Sequence, residues 1–282
     1  MDERPTSVNY QRIEQLQYLG NYVRELPVSM ARMMENALDW EHLSHVHASS
    51  FSDIQKMDSG QWGWRARALP ALGEGGWQEL ELLLDSQRHY WATSVISGPA
   101  ASIEIHTQAS ALSDKSIQVD VRFYSSIEVP DDQVGLYLDV LQQQYALLYD
   151  EDESLMQGRQ SALDARARRS ASADVGESEI LVGSVKALSK TTPNKVDTEE
   201  GSYCVRHHGG QWVVHSAACP HMLGPLDAAP VSAEGIVTCP WHGYQFDIAT
   251  GDNVDGKCRA LAQSPGLLER DDRLYLVFGQ LA

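Results

Sequence analysis

The chain has 282 residues, 43% of them hydrophobic and 22% charged, with a formal net charge of −17. That composition is globular and long enough for one large domain or two ordinary ones. The acidic excess argues against a nucleic-acid or anionic-membrane partner, and no apolar run approaches the length of a membrane span.

The opening MDERPTSVNY lacks the basic and apolar regions of a secretory leader, so a cytoplasmic location is expected. Residues 1–26 carry Tyr10, Ile13, Leu16, Leu19 and Val23 at three- and four-residue spacing, which predicts helix up to Pro27. Ser29 is an N-cap candidate for a second helix running through MARMMENALDWEHLSHVH. From residue 60 to 126 the period becomes two. WGWRARAL, WQELELLL, HYWATSVI, SIEIHTQA and SIQVDVRFY predict five strands of an antiparallel meander. Pro130 and Asp131 open a long helix, acidic at its start and basic at its end through Arg168 and Arg169, as the helix dipole favours. Residues 170–178, SASADVGES, read as a linker, and short strands and turns follow from Glu179 to the end. The expectation is an α+β domain over 1–169, then an all-β domain over 179–282.

The last third holds Cys219-Pro220-His221 and, seventeen residues later, Cys239-Pro240-Trp241-His242, a C-x-H-x17-C-x2-H pattern. Two thiolates and two imidazoles in this order are what a Rieske [2Fe–2S] cluster needs. A structural zinc site is the rival, but there the cysteine pair usually precedes the histidine pair. CPHMLGPL and CPWHGYQFDIATG closely resemble the Rieske ferredoxin family. The resemblance implies that Cys219 and Cys239 bind one iron and His221 and His242 the other. It also implies the low-potential group that feeds oxygenases. The positions of the extra disulfide found in respiratory members are Gly224 and Trp241 here. Cys204 and Cys258 remain and are read as small buried residues.

A second constellation lies upstream: Glu35, Asn36, Asp39, His42, His45 and His47. Asp39 and His42 share a helix face. His42 and His47 stand about 140° apart on an ideal helix, so they converge on one ion only if the helix ends or widens between them. On spacing alone, a surface helix end rich in histidine or a His42/His45 zinc pair stays open. In the long helix Leu141, Tyr145, Leu148 and Leu155 form an apolar stripe, and Asp152 fills its gap. A carboxylate on that buried face needs a partner, and a metal is one. Glu151 is the next candidate.

E-N-x-x-D-x-x-H-x4-H followed by Ala48-Ser49-Ser50 resembles the mononuclear-iron motif of Rieske non-haem iron oxygenases. This implies Fe(II) held by His42, His47 and a carboxylate, Asp152 or Glu151, in a two-histidine, one-carboxylate triad with open positions for O2. It implies a helix-grip fold for the first domain and a bridging role for Asp39 between an iron ligand and a cluster histidine of a neighbouring subunit. It further implies a homotrimer, electrons from an NAD(P)H-dependent reductase or ferredoxin, and hydroxylation, demethylation or dihydroxylation of a small organic substrate. The domain order, with the catalytic part first, is the reverse of the usual one. The alternative from another class is an electron carrier, a Rieske ferredoxin fused to a helix-grip domain that binds ligand without catalysis.

Overall fold

The computed structural model describes residues 4–71, 76–98, 101–171 and 179–279. The chain divides into two compact units, Met1–Gln157 and Gly158–Ala282.

The first unit is a seven-stranded antiparallel sheet covered by helices. Its strands are β1 (Gln17–Leu26), β2 (Phe51–Gly60), β3 (Gly63–Pro70), β4 (Gln78–Asp85), β5 (Tyr90–Ser97), β6 (Ile103–Ser113) and β7 (Ser116–Ser125), in the order β1-β7-β6-β5-β4-β3-β2. The five strands expected from the period-two segments are all present. β1 is a correction. Its three- and four-residue apolar spacing predicts helix, yet only Arg12–Gln15 form a short 3-10 turn. β1 instead pairs with β7 along Gln17–Leu26, burying Leu19 and Leu26 and leaving Tyr18 and Val23 exposed. Sheet hydrogen bonds to a strand distant in sequence outweigh the local periodicity.

Helix α1 (Met30–Leu38) begins as expected, with Ser29 Oγ accepting from the Arg32 N–H. It does not run on to His47. Asp39 leaves helical geometry at φ −88, ψ 87, and a second short helix, α2 (Leu43–Val46), follows.

The long helix α3 (Asp131–Ala171) crosses the sheet. Tyr145 packs edge-on against Phe123 with ring centroids 5.3 Å apart. A Cβ at Gly20 would come within 2.6 Å of Leu138, so glycine lets α3 approach β1 closely. Arg24 of β1 reaches Asp150 at 2.7 Å and Glu153 at 2.9 Å, pinning the helix in register. The boundary between the units falls inside α3. It precedes the stretch read as a linker, of which residues 172–178 lie outside the described residues.

In the second unit β8 (Glu179–Ser184) pairs with β15 (Arg273–Val277), which pairs with β14 (Gly266–Arg270). β10 (Ser202–His208) sits between β9 (Asn194–Asp197) and β11 (Gln211–Ser216), and β12 (Ile236–Thr238) pairs with β13 (Gln245–Asp247). Tyr203, Val205, Leu274 and Leu276 form its buried core. Two loops, one after β11 and one between β12 and β13, carry the cysteine–histidine pairs. Among the described residues no helix is long and apolar enough to cross a membrane.

Candidate metal centres

In the first unit His42, His47 and Asp152 converge. The end of α2 after Val46 is what allows it: His42 stands at the N-terminus of α2 and His47 leaves helical geometry just past its C-terminus. Their Nε2 atoms are 3.2 Å apart. Asp152 Oδ1 lies 3.3 Å from Nε2 of His42 and 3.1 Å from Nε2 of His47. All three residues are buried, and one ligand atom from each falls within 4.8 Å of the others. Asp152 Oδ1 is buried and short of both nitrogens, yet makes no hydrogen bond. Two imidazole nitrogens and a carboxylate oxygen this close together make a donor set that could hold one metal ion.

Electrostatics supports the same point. Burial pushes the His42 imidazolium down, but the neighbouring Asp152 and Asp39 carboxylates more than offset it and raise the pKa to about 10. Burial likewise opposes ionisation of Asp152, and the two histidines more than offset it, holding that carboxyl well below the usual range.

Asp39 stands on the far side of the His42 ring, its Oδ2 3.6 Å from Nδ1. Glu151, the alternative third ligand, does not share the convergence point. Its Oε2 lies 2.7 Å from Nδ1 of His47, on the opposite side of that ring from Asp152. His45 is outside the cluster.

A cavity of about 140 Å³ opens beside the triad, between α1, the sheet and α3. Met33, Phe51, Trp64, Leu80, Trp91 and Leu148 give it apolar walls. Trp64 and Trp91 both face it; Trp64 also donates from Nε1 to the Ala37 carbonyl at 2.9 Å. Asn36 lines the cavity with a buried Oδ1 that makes no hydrogen bond.

In the second unit the two cysteine loops share one backbone pattern. The Cys219 N–H donates to Gly224 O at 2.9 Å, and Leu223 N–H to Cys219 O at 3.0 Å. The Cys239 N–H donates to Tyr244 O at 2.8 Å, and Gly243 N–H to Cys239 O at 2.9 Å. Leu223 (φ 62) and Gly243 (φ 67) occupy the same left-handed position, an unfavourable one for leucine. The His221 and His242 rings meet edge-on with centroids 4.5 Å apart, and Tyr244 stacks on His221 at 4.7 Å. A Cβ at Gly224 would lie 2.7 Å from Cys239 Sγ and 3.1 Å from Trp241, so the space beside the sulfur depends on glycine. Hydrogen bonding between the two sulfurs pushes the Cys219 thiol up and the Cys239 thiol down. Two sulfurs and two imidazoles in facing loops fit a cluster with two thiolate and two histidine ligands.

Arg206 and His215, assigned no site role from sequence, brace the first loop. Arg206 Nε donates to His215 Nε2 at 3.0 Å, and its Nη2 donates to the carbonyls of Leu226 and Ala229 at 2.8 and 2.9 Å. Cys204 is buried, its thiol pushed up to about 12 by that burial, whereas Cys258 is only half-buried. All four cysteines are free thiols.

Residues 178–265 match the family model of the Rieske [2Fe-2S] domain. This segment is a Rieske domain. It implies a [2Fe–2S] cluster, which Cys219, Cys239, His221 and His242 are arranged to hold. Over 77 residues the chain is 35% identical to apoptosis-inducing factor 3 of Mus musculus, covering 27% of this chain and 13% of that protein. Across the first unit the chain has the helix-grip architecture. It is similar to the ZhuI aromatase/cyclase from Streptomyces sp. R1128, with 11% identity, a TM-score of 0.42, and coverage of 51% of this chain and 95% of that one. The quaternary ammonium Rieske monooxygenase CntA is similar at 15% identity and a TM-score of 0.41, over 56% of this chain and 42% of that one.

Proposed function

We propose that the chain is a terminal oxygenase in which a mononuclear Fe(II), held by His42, His47 and Asp152, lies beside the substrate cavity and is supplied with electrons through the Rieske domain. The supporting observation is the convergence of three buried ligand atoms within 4.8 Å, with Asp152 Oδ1 lacking a hydrogen bond. When bound, iron supplies O2 activation and the cluster supplies single electrons, which together allow oxidation of an unactivated organic substrate.

The chain's own residues have separable tasks. Nε2 of His42 and Nε2 of His47 would hold the ion, and Asp152 adds a negative charge. Asp39 holds His42 from behind and is the residue through which an electron would pass, from a cluster histidine of a neighbouring subunit in a head-to-tail trimer. Trp64, Trp91, Phe51 and the leucines exclude water and hold the substrate by apolar contact. A cavity of about 140 Å³ is close to the ~150 Å³ apolar cavity known to hold benzene, so a single-ring molecule is the matching size. Among the described residues no lysine or arginine lines it, which favours a neutral substrate. An NAD(P)H-dependent reductase or a ferredoxin completes the system.

Iron analysis on the anaerobically reconstituted chain tests this reading. Roughly three irons per chain are expected, two in the cluster and one at the triad. A value of two, with the cluster spectrum intact, would leave the electron-carrier alternative.

A further inference from the structure

The four consecutive carboxylates of α3, Asp150 to Glu153, do not share one environment. Asp150 and Glu153 are both taken by Arg24. Asp152 points inward to the Nε2 atoms of His42 and His47. Glu151 meets neither Arg24 nor, among the described residues, any other lysine or arginine; its Oε2 is 2.7 Å from Nδ1 of His47.

We propose that Glu151 is a positioning residue of the mononuclear site, accepting a hydrogen bond from Nδ1–H of His47 so that Nε2 is left bare toward the ion. The inference rests on the iron-site reading above and adds a residue to it. A neutral imidazole carries its proton on one nitrogen only, and the partner at the other nitrogen decides which. With no acceptor at Nδ1, the His47 proton is free to sit on Nε2, where it would block the ion. Neighbours on a helix are about 100° apart, so Glu151 and Asp152 grip the one ring from its two sides. α3 thereby supplies both a ligand and the group that aims a second ligand. His42 has the corresponding carboxylate, Asp39, at the longer distance of 3.6 Å. His47 therefore has the firmer anchor. It also explains why Glu151, adjacent to Asp152 and equally acidic, is no ligand: it is spent on the outer nitrogen.

The test is calorimetric titration with Co(II) of the cluster-loaded chain, stripped of its mononuclear metal. Glu151→Leu keeps the bulk of the side chain and removes the acceptor; Glu151→Gln keeps an acceptor oxygen. We expect Glu151→Leu to bind Co(II) 10- to 100-fold more weakly, the range that partners of ligating histidines carry. Glu151→Gln should recover most of that loss, because its amide oxygen can take the Nδ1 proton. A purely space-filling role predicts the opposite for Leu, and Glu151→Leu binding within about twofold of the parent would overturn the inference. If the parent chain itself takes up no Co(II), the iron-site reading fails first. Unchanged cluster absorbance and circular dichroism establish that each variant is folded; if Glu151→Leu is not, the loss in Glu151→Gln against Glu151→Ala decides in its place.

Discussion

Asp152 Oδ1 stands 3.1 Å from His47 Nε2, joining the long helix to the end of a four-residue helix far away in the chain. On the iron-site reading proposed above, both atoms are ligands of one ion. Replacing Asp152 by Ala should therefore lower iron from roughly three to roughly two per chain while the cluster spectrum stays unchanged. Asp152→Glu, one methylene longer, should bind the ion with altered affinity rather than lose it.

Asp39 offers a different outcome, because it touches a ligand rather than the ion site. Asp39→Ala should retain both metals. Reduction of the cluster by a chemical donor should proceed at the parent rate, while substrate turnover coupled to that reduction falls by a factor of 100 or more. Stopped-flow reduction measured beside product formation separates the two steps. If the protein is only an electron carrier, Asp39→Ala leaves delivery to a partner enzyme intact.

His215 predicts a pH dependence for the Rieske unit. Burial, the largest cause, lowers its pKa from 6.5 to about 4. The ring is neutral in the fold, donating from Nδ1 to Ser216 O at 2.8 Å while Nε2 accepts from Arg206. A folded pKa below the unfolded one means that protons bind the unfolded chain more tightly. The stabilisation is thus complete above pH 6.5 and is lost as pH falls from 6.5 through about 4. It amounts to about 3 kcal/mol at most. Denaturation followed by cluster bleaching at pH 7 and pH 5 should show this slope, and His215→Gln should flatten it.

Gly224→Ala should block cluster assembly. The new methyl would stand 2.7 Å from Cys239 Sγ, and the neighbouring Trp241 ring, at 3.1 Å, leaves little room to yield. Purified Gly224→Ala is expected to carry well under half the parent's cluster absorbance per chain. At the other loop Gly243→Ala, at φ 67, should cost about 1 to 2 kcal/mol of backbone strain and load the cluster less severely impaired.

Much of this was legible in the residues. The strands from Trp62 to Tyr124 announced themselves by alternation, and the five-residue gap between His42 and His47 required a helix that ends between them, as α2 does after Val46. Asp152 could be singled out because it interrupts an apolar stripe. β1 could not, since Leu16, Leu19 and Val23 fit a helix as well as a strand, and only pairing with β7 decides. β2 showed little alternation because it is an edge strand whose residues are mostly exposed. The contact of Glu151 with His47 depends on where α3 crosses the sheet, which Arg24 sets and no local pattern encodes.

The free state of all four thiols, with Gly224 and Trp241 packed together where a covalent bridge would otherwise span the loops, has a practical corollary. Thiol reductants have no crosslink to cut, so they should leave the melting temperature of this part unchanged. An incoming reductant finds no sulfur–sulfur bond to consume it, and a stoichiometric titration of the loaded chain counts electrons at its metals alone.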